Sequence, residues 1–586
     1  MIRTHPGAPR QVGSLLLSAL LLVSLLLAGC GLPLSGGVQR PRTAVPVGTA
    51  VPGDIRVLPP GPRGDSTPEA FVAGFLAAQS SPDAAHAIAR EFLAAGTRWD
   101  DRAGLLVYDP ATLALDTSTV TDTEATVVVT AAITGEVRAD GSYDATHRQL
   151  RENYVLREGT TGWQLIGVPV GLRLATADRD RSFAAKNVFF LAPSYGLTSD
   201  TPNLVVDRLF LPLSGNLAQQ LIEHLLRGPS AALGGAAETA IPPGTRLLTP
   251  VSTRDGTTTV SLSGEAQALA QPRRAQLSAQ VVWTLRQVDA GFQHLRLLSD
   301  GRPLEVEDHA GIDQGGLQNR ADWAEYDPDG MAPGSPLYYV DAGALRTAPV
   351  AGDGSARASA ASDGSLDIVE AAVGPSGNQL GLVTARQEVL TGPRTGPFTV
   401  RLVGAGLSSP TWGSGEQGLW LLREGAVLRL PDAGQAMTVS VAGATTGPFT
   451  AMRVSRDGAR VALVADQRLW LGRIEPNATG LGFAGVHEVA PGLGGVTGVA
   501  WENGTTLVVL ARYGTQLLLP VRVAVDGSTV LSAGRAGITG TAVGVAAAPG
   551  RPLVLAVLEG SRRRTVSDDG VFFQPGPLGS APVYPG

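Results

Sequence analysis

The stretch that decides the fold of this chain is Met452-Arg453-Val454-Ser455-Arg456-Asp457-Gly458, followed by the apolar run Val461–Val464. Ser, Asp and Gly are residues that favour a tight turn, and the apolar residues on either side of them indicate two short strands. The strand, turn and strand pattern returns in four further places, each marked by a turn glycine: Gly377, Gly415, Gly504 and Gly550. In chain order these five glycines are 38, 43, 46 and 46 residues apart. The C-terminal part of the chain is therefore a repeat protein built from strands.

All-β repeats of about 40–45 residues are typical of a β-propeller, in which each repeat forms one four-stranded blade. Five repeats are visible, and Leu337–Val340 together with the last residues of the sequence could complete a sixth. No convincing helix follows residue 335. The pattern predicts an all-β propeller of five or six blades over residues 337–586.

A mixed α+β domain is predicted over residues 65–180, ahead of the propeller. Thr67-Pro68-Glu69 is typical of a helix start, and Phe71, Val72, Phe75 and Leu76 then fall on one helical face. Ser81-Pro82-Asp83 predicts a second helix that runs through Leu93. The apolar period then changes to two, which predicts strands within 104–168. Two helices packed on a curved antiparallel sheet resemble a nuclear-transport-factor-like cone.

A second α+β domain is predicted over residues 187–306. Strands are expected at Val188–Leu191 and Leu204–Leu211, and helices at Leu217–Leu226 and Gln276–Gln287. A polar segment over 307–336 is expected to be a linker before the propeller. The whole chain is thus predicted to be multidomain, with two α+β domains followed by the propeller.

The N-terminal end of the chain has the layout of a secretory signal. Arg3 and Arg10 precede the apolar stretch Leu15–Ala28, which is too short for an ordinary transmembrane span. Its end, Leu27-Ala28-Gly29-Cys30, resembles the lipobox of bacterial lipoproteins, in which the cysteine receives a lipid and becomes the first mature residue. A plain signal peptide with an incidental cysteine is the alternative. We therefore expect a signal peptide over 1–29, lipidation of Cys30, and a flexible Pro- and Gly-rich stalk over 30–64.

Composition and motifs give no support for nucleic-acid binding, metal binding or catalysis. The net charge is −6 and the Lys and Arg residues are not gathered on one face, so nucleic acid is not expected as a partner. Cys30 is the only cysteine, which excludes internal disulfides and zinc–cysteine sites.

Gly413–Gly418 and Gly480–Gly485 match G-x-G-x-x-G but lie among predicted strands, where no helix N-terminus can hold a pyrophosphate. The seven histidines form no His-x-x-x-His pair, and Asp327-Pro328-Asp329-Gly330 lacks the glutamate that completes a calcium loop. No catalytic, metal or cofactor residue is predicted, and the protein is not expected to be an enzyme.

Several stretches resemble the LpqB family of actinobacterial lipoproteins. Leu221–Ser230, Ile241–Thr245 and Val260–Ser263 look like core motifs of its middle domain, which is of the spore-germination type called GerMN. Asn319–Pro328 resembles the family's joint before its propeller, and Ala581–Gly586 resembles its ending. The order of lipobox, cone, GerMN-like domain and propeller is the strongest part of the resemblance.

The resemblance implies a protein held at the extracytoplasmic face of the cell membrane by the lipid on Cys30. It further implies an accessory role in two-component signalling. The protein would contact the ectodomain of the sensor histidine kinase MtrB and so influence phosphorylation of the regulator MtrA. That system is linked to the cell envelope and division. A receptor for cell-wall glycans or muropeptides is the alternative function, and exposed aromatic side chains along a groove would favour it.

Overall fold

The computed structural model describes twelve stretches of the chain. They are residues 59–81, 85–193, 203–288, 292–306, 316–331, 334–348, 360–416, 418–443, 447–478, 480–512, 518–534 and 538–586. The predicted signal peptide, including Leu27, Ala28 and Gly29, the lipidation site Cys30 and nearly all of the predicted stalk lie outside the described residues. The multidomain α+β and propeller architecture predicted from the sequence is confirmed.

The N-terminal domain packs helix α1, Pro68–Ala78, on a six-stranded sheet. Thr67 Oγ accepts a hydrogen bond from the amide of Ala70 at 3.3 Å, so the predicted N-cap is present. The strands of this sheet are β1 Leu105–Tyr108, β2 Ala114–Val120, β3 Glu124–Val137, β4 Tyr143–Gly159, β5 Gly162–Gly167 and β6 Leu172–Ala175. They have the order β5-β4-β3-β1-β6, and β2 pairs with β3.

The second helix differs from its prediction. Only α2, Ala87–Arg90, is helical, and residues 82–84 lie outside the described part of the chain. Ala85 and His86 have φ values of 54° and 59°, in the left-handed region, so a right-handed helix cannot continue through them. Leu93 instead bridges to Leu165 in β5, which carries the apolar residues of this segment onto the sheet. A further short helix, α3 Thr176–Ser182, leads into the next domain.

The middle domain contains a two-stranded hairpin and a five-stranded sheet. The hairpin strands are β7 Phe183–Leu191 and β8 Leu204–Pro212, and the helices are α4 Leu217–Arg227 and α5 Gln271–Leu285. The sheet strands are β9 Ser252–Arg254, β10 Thr257–Leu262, β11 His294–Ser299, β12 Arg302–Pro303 and β13 Leu317–Asn319. Parallel strands β10 and β11 are joined through α5, as a parallel crossover requires.

Part of the predicted linker belongs to the core of this middle domain. Strand β13 pairs with β11, and a 3₁₀-helix over Arg320–Tyr326 follows it. Trp323 is fully buried, and the indole of Trp283 in α5 donates to the carbonyl oxygen of Trp323 at 2.8 Å. The two aromatic residues Trp323 and Tyr326 explain this difference, since burying their large apolar surface outweighs the polar character of their neighbours.

The propeller has six blades among the described residues. Blades 2 to 6 each have at least four strands, and blade 4 carries one extra strand, Val441–Gly443. The strands of blades 1 to 3 are β14 Leu337–Asp341, β15 Ala344–Ala348, β16 Ile368–Val373, β17 Gln379–Thr384, β18 Glu388–Pro393, β19 Thr399–Val403, β20 Leu407–Trp412, β21 Leu419–Arg423, β22 Ala426–Leu430 and β23 Met437–Thr438. Those of blades 4 to 6 are β24 Val441–Gly443, β25 Phe449–Val454, β26 Arg460–Ala465, β27 Arg468–Asn477, β28 Gly480–Glu488, β29 Gly494–Asn503, β30 Thr506–Arg512, β31 Leu518–Ala524, β32 Val530–Ser532, β33 Thr541–Ala546, β34 Val554–Glu559, β35 Arg562–Asp568 and β36 Phe573–Leu578.

Blade 1 is closed by the last strand, β37 Ser580–Val583, which pairs with β14. This pairing of the two ends of the repeat joins the ring, and it is the completion of a sixth blade that the sequence suggested. The five predicted turn glycines each follow the innermost strand of a blade, namely β16, β20, β25, β29 and β33 of blades 2 to 6. Gly480–Gly485 lies in β28, so the second G-x-G-x-x-G match opens no helix.

Candidate functional site

The candidate site is the junction where the N-terminal domain, the middle domain and the propeller meet. Arg208, in β8 of the middle domain, lies at its centre. Its Nε donates to Asp526 Oδ2 at 2.9 Å, and Asp526 lies in a turn of blade 5. The two side chains are only 20% and 8% exposed, so this ion pair between domains is largely shielded from water. Removing either partner of such a pair destabilises the folded protein, because the remaining charge would be buried without a counter-charge.

A second polar contact lies on the neighbouring blade. Arg460, at the start of β26, donates to the carbonyl oxygen of Val206 in the middle domain and to that of Gly504 at 3.0 Å. Asp207, beside Val206, is buried and accepts hydrogen bonds from the amide and hydroxyl of Ser230 at 2.7 and 2.8 Å. Burial raises the pKa of Asp207 above its usual value, while these hydrogen bonds and Arg460 oppose that change. Arg460 thereby holds the backbone of β8 to the propeller, and the side chain of Asp207 holds β8 to its own domain.

The segment before the propeller is held at the same face of the ring. Asp329 accepts a hydrogen bond from the amide of Gly504, the turn glycine of blade 5, at 2.7 Å. Burial raises the pKa of Asp329 to about 6, and this hydrogen bond opposes the increase. Arg456, in the turn of blade 4, is the nearby cation; burial lowers its pKa to about 10. The residues predicted only as a turn in a linker therefore dock on the propeller.

The N-terminal domain joins the junction through aromatic packing. Phe210 of β8 is 5% exposed and packs in the core of the N-terminal domain, with its ring centroid 5.2 Å from that of Tyr143. The guanidinium of Arg179 lies 5.6 Å from the Tyr143 ring and 5.1 Å from the Phe210 ring. The amide of Phe210 donates to Gly141 at 2.8 Å. These contacts combine apolar burial with cation–π attraction.

Two cavities of about 460 and 470 Å³ lie at this junction and share Tyr143 and Ala145 in their walls. The first is lined by side chains of all three domains, including Arg138, Arg208, Arg473 and His487. Several of its cations are paired with carboxylates, as in the pairs Arg138–Asp144 and Arg208–Asp526. A third cavity, of about 420 Å³, lies between the N-terminal and middle domains and is lined by His86 and His224. Burial, followed by the charge of Arg227, lowers the pKa of His224 to about 4, so this histidine is neutral near pH 7.

In the described stretches no group of three or more His, Cys, Asp or Glu side chains could hold a metal ion. No helix in the same stretches is long and apolar enough to cross a membrane. Sequence reasoning missed the junction residues Arg208, Arg460 and Asp526. Only the blade signature Ser455–Gly458 pointed to this region, because it leads directly into Arg460.

The architecture defines a class of modular protein in which two α+β domains precede a six-bladed propeller. Three family profiles match successive parts of the chain. They are the N-terminal domain of lipoprotein LpqB over residues 61–180, a sporulation and spore germination domain over 187–305, and the LpqB β-propeller domain over 343–585. The chain belongs to the LpqB family of lipoproteins.

Curated relatives named lipoprotein LpqB match along most of their length, and some along nearly all of it. The protein of Nocardia farcinica is 28% identical over 99% of both chains, and that of Thermobifida fusca is 27% identical over 96% of this chain and 97% of its own. The protein of Mycobacterium tuberculosis is 26% identical over 84% of this chain and 86% of its own.

Among solved structures, TolB of Acinetobacter baumannii is 15% identical, with a TM-score of 0.35 over 43% of this chain and 66% of that chain. The tandem GerMN domains of GerM from Bacillus subtilis are 16% identical, with a TM-score of 0.17 over 21% of this chain and 41% of that chain.

Proposed function

We propose that this protein is a non-enzymatic accessory regulator that binds the ectodomain of an MtrB-like sensor histidine kinase at the extracytoplasmic face of the membrane. The observation that carries the proposal is the set of contacts between domains centred on Arg208 and Asp526. They join the middle domain to the propeller, and the packing of Phe210 joins the middle domain to the N-terminal domain. The partner class comes from the family resemblance described above.

Three domains held together by these contacts, here called the joined body, suit a regulator. A partner that binds one domain also constrains the position of the other two. Binding shifts a kinase between two states only if the regulator has a different affinity for each state. A body held by buried charges presents its surfaces in one fixed arrangement, which makes such a difference in affinity possible. Lipidation at Cys30 would confine the protein to the membrane surface and raise its effective concentration near a membrane-bound kinase.

The proposal is tested with the full-length lipidated protein and the full-length kinase together in lipid nanodiscs. We expect the two to co-purify, and we expect the rate of phosphoryl transfer to the response regulator to change when the lipoprotein is present. Arg208→Met tests the role of the joined body, and Arg157→Gln is its control because Arg157 pairs with Glu124 on an exposed surface. Absence of both co-purification and any change in phosphoryl transfer would contradict the proposal.

The glycan or muropeptide receptor has no specific observation in its favour. Phe572 is the only exposed aromatic side chain among the residues that the structure describes, so no groove lined by exposed aromatic rings is present there. Retention of the protein on purified peptidoglycan, without binding to the kinase, would be the result that favours this alternative.

A further inference from the structure

On the inner strands of the propeller, Arg453 occupies a position where other inner strands carry small residues. In β16, β20, β25, β29 and β33 the pairing with the second strand of the blade shifts near the strand start. Counted from that shift, Arg453 of β25 pairs with Ala462. Arg453 is the third paired residue after the shift, and the third residues of β16, β29 and β33 are all Ala: Ala372, Ala500 and Ala546. A long cation therefore stands where three other inner strands carry Ala.

Arg453 lines a cavity of about 30 Å³ in the central channel. The inner strands of blades 5 and 6 line the same cavity, as do residues 582–584 and Gly586. Its volume is sufficient for one or two waters or for the head of a slender ligand. Residues 584–586 close this side of the channel: Arg456 donates to the carbonyl oxygen of Pro585 at 3.2 Å, and the amide of Gly586 donates to Val373 at 3.0 Å.

Arg453 makes few hydrogen bonds with the other residues that the structure describes. Among the described residues its guanidinium makes one hydrogen bond, from Nη1 to the carbonyl oxygen of Met452 at 2.8 Å. A guanidinium carries five N–H donors, so four remain. No carboxylate of the described residues lies within ion-pair distance of it, although Glu370 in β16 is close enough to act on its charge. Burial lowers the pKa of Arg453, yet the arginine stays charged because its pKa begins far above neutrality.

The strand starts at the opposite end of the channel are exposed to solvent in four blades. Val369 and Val543, at the start of two inner strands, are 40% and 47% exposed, and Thr450 and Thr497 at the equivalent positions are also exposed. Each inner strand pairs with a neighbour on one side only, so its other edge faces the channel. Free strand edges offer backbone donors and acceptors to an extended chain.

We propose that the propeller channel is a binding site for a carboxylate, which enters between the strand starts and pairs with Arg453. A planar carboxylate matches the two parallel donors of a guanidinium and fits a narrow cavity. Glu370 disfavours a more highly charged anion such as phosphate, because repulsion grows with the charge of the ligand. The carboxylate could belong to a small free acid or to the C-terminal end of an extended peptide. This inference does not depend on the proposed regulation of a kinase.

Calorimetric titration of the full chain at millimolar ligand concentration tests the proposal, with acetate, trialanine and C-terminally amidated trialanine as probes. We expect acetate or trialanine to bind and the amidated peptide not to bind. Tighter binding of trialanine than of acetate assigns the site to peptide ends, and equal binding assigns it to free carboxylates. The proposal is overturned if the amidated peptide binds as well as trialanine, or if neither carboxylate binds.

Two variants with opposite expected effects separate a binding role from a structural one. Arg453→Ala should weaken carboxylate binding by about tenfold or more, since hydrogen bonds to charged groups are strong. It should leave the fold intact, because three other inner strands carry Ala there. Glu370→Gln should tighten binding by removing the repelling charge while keeping an acceptor for the amide of Ser409. Arg423→Ala, on an exposed site of blade 3, is the control. Unchanged binding in Arg453→Ala, or weaker binding in Glu370→Gln, would also overturn the proposal.

Discussion

Arg208 Nε lies 2.9 Å from Asp526 Oδ2, although 318 residues separate the two in sequence. The pair joins a strand of the middle domain to a turn of blade 5, and it is more shielded than the exposed pair of Arg157 and Glu124, whose side chains are 59% and 50% exposed. The contrast between these two pairs allows a direct test of how much the junction stabilises the protein.

Replacing Arg208 with Met should lower the free energy of unfolding by about 2 kcal/mol, because Asp526 would remain buried without its counter-charge. Arg157→Gln should change it by less than about 1 kcal/mol, as expected for an exposed pair. Urea unfolding measures both, and limited proteolysis reports whether the middle domain separates from the propeller. Equal losses in the two variants would mean that the Arg208–Asp526 contact carries no special role.

Phe210 should be a second determinant of the joined body. It belongs to the middle domain but is 5% exposed in the core of the N-terminal domain. Phe210→Ala should cost about 3–5 kcal/mol through lost burial and the cavity that remains. It should also loosen the N-terminal domain, which hydrogen exchange of β3 and β4 would detect. Phe572→Ala is the control, because Phe572 is 49% exposed and its loss leaves no internal cavity.

The sequence predicted the fold well wherever local chemistry decides the structure. Thr67 and Pro68 begin a helix because a side-chain acceptor and a fixed φ angle suffice for that. The turn glycines mark blades because each turn is defined by a few consecutive residues. The helix expected through Leu93 was wrong because Ala85 and His86 adopt left-handed backbone conformations, which propensity alone does not indicate.

The junction could not be predicted in this way. Pairing of Arg208 with Asp526 requires three domains to be docked, and no local pattern encodes the partner of an arginine so far away in the chain. Asp329 is a similar case: its turn was identified, but its contact with Gly504 exists only after the segment lies on the propeller. Even the best blade signature indicated a turn and gave no sign that Arg460 reaches the middle domain.

Asp329 should make stability depend on pH. Its pKa is about 6 in the folded protein, above the ordinary value of 3.8, mainly because the carboxyl group is buried. The folded state therefore binds the proton more strongly than the unfolded state. This favours folding at low pH, and the advantage is lost as the pH rises from about 4 to about 6.

Asp329→Asn removes that dependence while keeping an oxygen that can accept from the Gly504 amide. The variant should be more stable than the wild type by roughly 2 kcal/mol at pH 7. The difference should shrink as the pH falls towards 4 and should vanish below about pH 3, where the wild-type carboxyl group is protonated in both states. Urea unfolding at several pH values checks this, and a constant difference at every pH would contradict the assignment.

Cys30 should decide where the protein acts. It is the predicted site of the lipid and lies outside the described residues. Cys30→Ser should release the protein from the membrane fraction, because no acyl chain would then hold it. If the proposed regulation depends on confinement near the kinase, the effect on regulator phosphorylation should fall with it, since the effective concentration of the protein at the membrane drops.

Fusing an unrelated transmembrane helix ahead of the stalk in the Cys30→Ser variant should restore both membrane attachment and regulation. Fractionation and phosphate-affinity electrophoresis of the regulator measure the two effects in the same cells. Restored attachment without restored regulation would show that the lipid at Cys30 does more than hold the protein at the membrane, and the role assigned to the anchor would then be wrong.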